Sequence, residues 1–174
     1  GDKSRWVQNF IDEIEVTSDG AVATCSEWDE AGRCSAFYKD ADVNRILIKE
    51  SEGASCWGWG TSSRAIAVDS TRFYLVNCEG NLLVFDRSSK YKLLTRRQVG
   101  EAVGMVCRNG RLFIIRKDGI VDIRSTTDFV KIGGVRVAGV KDAAVDDAGN
   151  LWILADRTIQ HFSGSGAALP GSIM

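Results

Sequence analysis

Apolar positions along this chain fall in short bursts separated by Asp, Asn and Gly. Ala65-Ile66-Ala67-Val68 is followed, after Asp69, by Arg72-Phe73-Tyr74-Leu75-Val76. Val103-Gly104-Met105-Val106 precedes Arg108-Asn109-Gly110 and then Arg111-Leu112-Phe113-Ile114-Ile115. Ala143-Ala144-Val145-Asp146 precedes Asn150-Leu151-Trp152-Ile153-Leu154. β-Branched and aromatic residues dominate these bursts, and the breaks hold residues that tolerate tight turns, so the pattern predicts strands joined by hairpins. No segment shows the i, i+3, i+4 spacing of a long amphipathic helix.

The bursts repeat. Phe73, Leu112 and Leu151 are equivalent and stand 39 residues apart (73, 112, 151), as do the turns Glu79-Gly80 and Asp118-Gly119. A third strand follows in each copy, such as Leu82-Leu83-Val84-Phe85 or Ile120-Val121-Asp122-Ile123. A weaker fourth is read at Arg45-Ile46-Leu47-Ile48, Lys92-Leu93-Leu94-Thr95 and Phe129-Val130-Lys131-Ile132. A diverged first copy reads Ile14-Glu15-Val16-Thr17, a turn at Ser18-Asp19-Gly20, then Ala21-Val22-Ala23-Thr24.

Four-stranded units of about 40 residues are the signature of a β-propeller. The expected fold class is all-β: one propeller domain of four four-stranded blade repeats at about 11–52, 63–98, 102–137 and 141–163. The stretch Asp146 to Trp152, Asp-x-x-Gly-Asn-Leu-Trp, resembles NHL-type and SMP-30-like propeller repeats. The resemblance implies fold and carries no function with it. Two arrangements stay open. Residues 5–10, which include the strand-like Trp6-Val7-Gln8-Asn9-Phe10, can supply the outer strand the last copy lacks and close a compact ring. Alternatively the four blades belong to a larger ring, whose exposed end faces would need a partner or self-association. A β-sandwich or ordinary barrel is the structural competitor.

The hydrophobic fraction of 44% predicts a folded core, and 22 basic against 23 acidic residues gives no basic footprint for nucleic acid. No apolar run reaches the ~18 residues of a membrane span. No cofactor motif is present: Gly58-x-Gly60 lacks the third Gly of a dinucleotide fingerprint, since position 63 is Ser. Gly53-Ala54-Ser55-Cys56-Trp57 has Trp where a hydrolase elbow needs Gly. No catalytic residue and no metal-ligating set is assigned. The single histidine, His161, falls in a predicted strand.

The turn joining second and third strands shares one end of a blade with the connection between blades. That end collects Trp28-Asp29-Glu30, Cys56-Trp57-Gly58-Trp59-Gly60, Cys78-Glu79, Glu101, Lys117-Asp118, Lys141 and Asp156-Arg157. Trp28, Asp29, Glu30, Trp57, Trp59 and Glu79 are the candidate ligand contacts. Indole faces suit sugar rings or peptide side chains, and the carboxylates accept hydrogen bonds from hydroxyls. The same rings would also serve as apolar caps between blades. The leading expectation is a non-catalytic binding or scaffold module for carbohydrate or protein. A metal-dependent propeller hydrolase or lyase, and a structural segment of a larger ring, are the alternatives. Cys25 and Cys34 flank one predicted hairpin turn, which makes a cross-strand disulfide geometrically feasible; formed, it would favour an extracellular or periplasmic site.

Overall fold

The computed structural model describes residues 9–17, 20, 22–28, 35–38, 65–77, 79–89, 91–171 and 173. The described residues form strands, turns and connections, with no helix among them. They divide into two compact units, residues 1–101 and 102–174.

The first unit opens with β1 (Asn9–Val16), β2 (Val22–Trp28) and β3 (Ser35–Tyr38), paired antiparallel in that order. Asn9 and Phe10 therefore belong to β1, with Asn9 registered against Trp28, and do not form a separate strand. Residues 5–8, which the ring-closing expectation also needs, lie outside the described residues, as does the expected strand at 45–48. A four-stranded antiparallel meander follows: β4 (Ala65–Val68), β5 (Arg72–Val76), β6 (Asn81–Asp86) and β7 (Lys92–Gln98).

Successive strand residues face opposite sides. Phe73, Leu75, Leu83 and Phe85 therefore share one face, where they pack with Ile66, Tyr91 and Ala23 of β2. Tyr74, Val76, Leu82 and Val84 line the other face and are also buried. A sheet apolar on both sides explains why its strands read as continuous hydrophobic bursts and not as strict alternation.

The second unit holds β8 (Ala102–Arg108), β9 (Arg111–Arg116), β10 (Ile120–Ser125) and β11 (Lys131–Arg136) in one sheet, and β12 (Val140–Val145), β13 (Leu151–Ala155) and β14 (Thr158–Phe162) in another. Phe113, Ile115, Val121 and Ile123 pack against Leu151, Ile153 and Ala155 to form its core. The expected fourth strand at 129–132 starts later, at Lys131, because Phe129 takes a left-handed turn conformation (φ 62°). The outer edge of the last sheet is occupied in part by the chain's own tail, through bridges Phe162–Ala168 and Ile159–Ile173.

The repeat extends to its irregularities. The register slips in the first strand of three sheets, at Ile11/Glu13, Ala102/Gly104 and Val140/Asp142. It slips again where third meets fourth strand, at Val84/Phe85 and Ile123/Arg124. Such bulges add local twist at fixed places in each unit.

Candidate functional site

The two ends of the sheets differ in chemistry. At the end carrying the first-to-second-strand turns, two aspartates act as plugs. Asp69 Oδ1 accepts the backbone N–H of Thr71 and of Arg72, each at 2.7 Å, and Oδ2 accepts the Tyr74 hydroxyl at 2.6 Å. Asp146 repeats the device. Its Oδ1 accepts the N–H of Asn150 at 2.8 Å and its Oδ2 the indole N–H of Trp152 at 3.2 Å. A short polar side chain thus closes the turn and tethers the polar tip of a sheet aromatic.

These bonds favour the carboxylate. Burial pushes the Asp69 carboxyl up, but hydrogen bonds from Tyr74, Thr71 and Arg72 outweigh it and leave the group below its ordinary value. Asp146 is lowered chiefly by the Asn150 N–H and then by Trp152. A carboxyl lowered on folding adds stability that is complete above the unfolded pKa of about 3.9 and lost as pH falls through the folded value. Unfolding midpoints in urea should therefore drop between pH 5 and pH 3 (about one unit either side of that pKa). The drop should be shallower in an Asp69→Asn/Asp146→Asn variant, and an unaltered slope would contradict the assignment.

Trp152 also stacks on His161, with ring centroids 3.8 Å apart at 11°. His161 Nδ1 donates to the Pro170 carbonyl at 2.8 Å, so the single histidine fastens the tail to β14. Among the described residues, no three His, Cys, Asp or Glu side chains gather into a metal-ligating group.

The opposite end carries the second-to-third-strand turns and the connections between sheets. In the second unit Arg116 grips Asp118 with Nε and Nη2 at 3.1 and 2.6 Å. Lys141 Nζ donates to the Asp156 carbonyl at 3.3 Å. Asp156 holds a left-handed backbone (φ 47°), with its N–H on the Gly139 carbonyl at 3.1 Å. Lys141 and Asp156 border an open depression of about 500 Å³. Lys141, Asp156, Arg157, Thr158 and Gln160 line it together with Ala138 and Ala155.

Of the sequence-assigned contacts, Glu79 is exposed on the β5–β6 turn. Asn77 Oδ1 accepts its N–H at 3.1 Å and its Oε2 accepts Asn81 Nδ2 at 3.1 Å. Trp28 ends β2 opposite Asn9. Asp29, Glu30, Trp57, Trp59 and Cys34 lie outside the described residues. Ser35 is the registered partner of Cys25. Sequence reasoning had Lys141, Asp156 and Arg157 on this end but not Thr158 or Gln160, whose alternation within β14 gives no signal that sets them apart from ordinary strand polarity.

The chain matches no protein-family model, and comparison with curated proteins finds no relative. Its resemblances are to solved β-propeller structures. BamB from Moraxella catarrhalis superposes with a TM-score of 0.62 at 11% identity, over 95% of this chain and 50% of that one. A Kluyveromyces lactis Hsv2 with loop 6CD replaced by a Gly-Ser linker gives 0.61 at 10% identity, over 95% of this chain and 66% of that one. Glutaminyl cyclase from Myxococcus xanthus gives 0.53 at 12% identity, over 94% and 69%. These likenesses establish propeller architecture, and the chain spans half the length of the BamB structure it matches. The fold hosts an enzyme as well as proteins of other kinds, so function has to be argued from the site.

Proposed function

We propose that the chain is a non-catalytic β-propeller segment that works as a binding module, with its ligand held at the turn end. The observation that supports this is the depression of the second unit, lined by Lys141, Arg157, Thr158 and Gln160, which offer donors, and Asp156, which offers an acceptor, together with Ala138 and Ala155. Several donors and an acceptor lining one depression can orient a polar ligand. Sugar hydroxyls or the backbone and acidic side chains of a protein segment fit that lining. In the first unit the equivalent turn carries Glu79, and the connection ahead of β4 carries Trp57 and Trp59. Those indoles are the proposed stacking surface, with Trp28, Asp29 and Glu30 beside them in the sequence reading. No specific observation favours a hydrolase or lyase.

The test is a glycan array and an acidic-peptide array probed with the labelled chain. Lys141→Ala/Arg157→Ala should weaken any specific signal at least about tenfold, the equivalent of one lost charge-assisted contact. Trp57→Ala/Trp59→Ala should weaken a carbohydrate signal in the same range. Binding untouched by both pairs, or no specific signal on either array, overturns the reading.

A further inference from the structure

We infer that the depression beside β14 takes a carboxylate, presented by an aspartate or glutamate side chain of a protein segment. This ligand class rests on the turn-end site proposed above and narrows it to one chemistry.

The two cations of the lining have no acidic partner. Lys141 Nζ makes its hydrogen bond to the Asp156 carbonyl, a neutral acceptor. Among the described residues, no carboxylate forms an ion pair with Lys141 or with Arg157. Other arginines of the same unit are paired, Arg108 with Asp147 and Arg116 with Asp118. Arg157 therefore keeps its planar fork of donors for a ligand, and that fork matches a carboxylate through two parallel hydrogen bonds. Gln160 stands on the same face of β14 as Thr158 and adds an amide donor to the lining.

The one acid of the lining is turned aside. A Cβ at Gly139 would lie 2.5 and 2.8 Å from Asp156 Oδ2 and Oδ1, so both oxygens lie over the Gly139 backbone. The Asp156 N–H, donated to the Gly139 carbonyl at 3.1 Å, holds the residue there. Two cations against one carboxylate leave a single positive charge, which one Asp or Glu side chain neutralises.

No aromatic ring is among the described lining residues, whose apolar members are Ala138 and Ala155. A sugar ring would find no face to stack on there. A peptide needs none, because its acidic side chain enters while its backbone stays at the open mouth.

The test is an array of short peptides, each Asp- or Glu-containing member printed beside its Asn or Gln counterpart, with oligogalacturonate and neutral glycans on the same slide. Acidic members should bind at least about tenfold more tightly than their amide counterparts, the worth of one charge-assisted contact. Arg157→Ala should erase that preference. Asp156→Asn is the deciding variant. Asn tolerates the left-handed backbone at this position (φ 47°), so the turn is kept. Loss of a like charge beside the ligand should tighten acidic-peptide binding about threefold. Far-ultraviolet circular dichroism should remain that of the unmodified chain in both variants, since both positions are exposed. Weaker binding on Asp156→Asn would mean that ligand hydroxyls donate to that carboxylate; the site would stand and its carboxylate ligand would fall. Equal binding of acid and amide peptides, or signal confined to the glycans, overturns the carboxylate in the same way. Signal untouched by Lys141→Ala/Arg157→Ala, or no specific signal at all, overturns the site and its ligand together.

Discussion

Replacing Gly80 with alanine is expected to cost about 3 kcal/mol. Gly80 has φ 74°, and a Cβ there would lie 2.6 Å from the Gly100 carbonyl carbon and 2.9 Å from the Glu101 nitrogen. The left-handed backbone alone costs an alanine roughly 1–2 kcal/mol. The collision then pushes away the segment whose Val99 and Gly100 N–H groups donate to the Gly80 carbonyl at 2.8 and 3.0 Å. Each such bond contributes about 0.5–1.5 kcal/mol. Gly119 repeats the arrangement, with Val137 N–H on its carbonyl at 2.9 Å and that residue's own oxygen 2.7 Å from the notional Cβ. Gly20 is the control. Its φ is 81° but nothing lies within 4 Å, so alanine there should cost only the backbone share. Urea unfolding of the three variants separates the two causes. Equal losses at Gly20 and Gly80 would refute the collision.

The second large effect concerns an ion cluster. Asp122 has a side chain 2% exposed, held by Arg124 Nη2 at 2.9 Å and Lys131 Nζ at 2.5 Å. Arg124, 15% exposed, also donates to the Phe129 carbonyl at 3.0 Å. Removing one member of a buried pair strands the other, at roughly 3–5 kcal/mol. Lys131 is 51% exposed and can turn to water, so Asp122→Ala is expected near the lower bound, about 3 kcal/mol. The repeat supplies the rescue. Register puts Leu83 and Phe85 in the β4–β7 sheet where Asp122 and Arg124 stand in the next. The Asp122→Leu/Arg124→Phe variant should therefore unfold within about 1 kcal/mol of the unmodified chain, since well-packed apolar residues replace a buried ion pair at little or no cost. A double variant as unstable as Asp122→Ala would show that the site cannot accept its neighbour's packing.

The strands of the last three sheets were legible because the repeat is written in both of its periods. Phe73 and Leu112 hold the second position of equivalent strands 39 residues apart, and Gly80 and Gly119 mark equivalent turns, where geometry leaves little choice of residue. Strand ends were less legible. Val140 and Lys141 join β12 ahead of its apolar run because pairing with β13 continues through a bulge. Asp122 was invisible as a buried group, since a lone acid in an apolar strand reads as a solvent-facing position until its partners fold beside it. Much the same holds for the depression: Arg157 and Lys141 could be placed on one end of a blade, but their grouping with Gln160 depends on how a two-residue turn at Asp156 brings β14 back along β13. The tail's bridges to the edge of the last sheet had no apolar burst to announce them.

Every described ladder joins strands that follow one another in the sequence, across turns as short as Asn109-Gly110. All-β folds are ordinarily slow to form because distant segments must find each other before any contact rewards the search. Here the ladders inside each sheet close over short loops, whose entropy cost grows only slowly with length. Hairpins can therefore register one after another along the chain. The slow, committed step is then confined to docking finished sheets face to face, where Ala23 meets Ile66 and Phe73, and Leu151 meets Phe113.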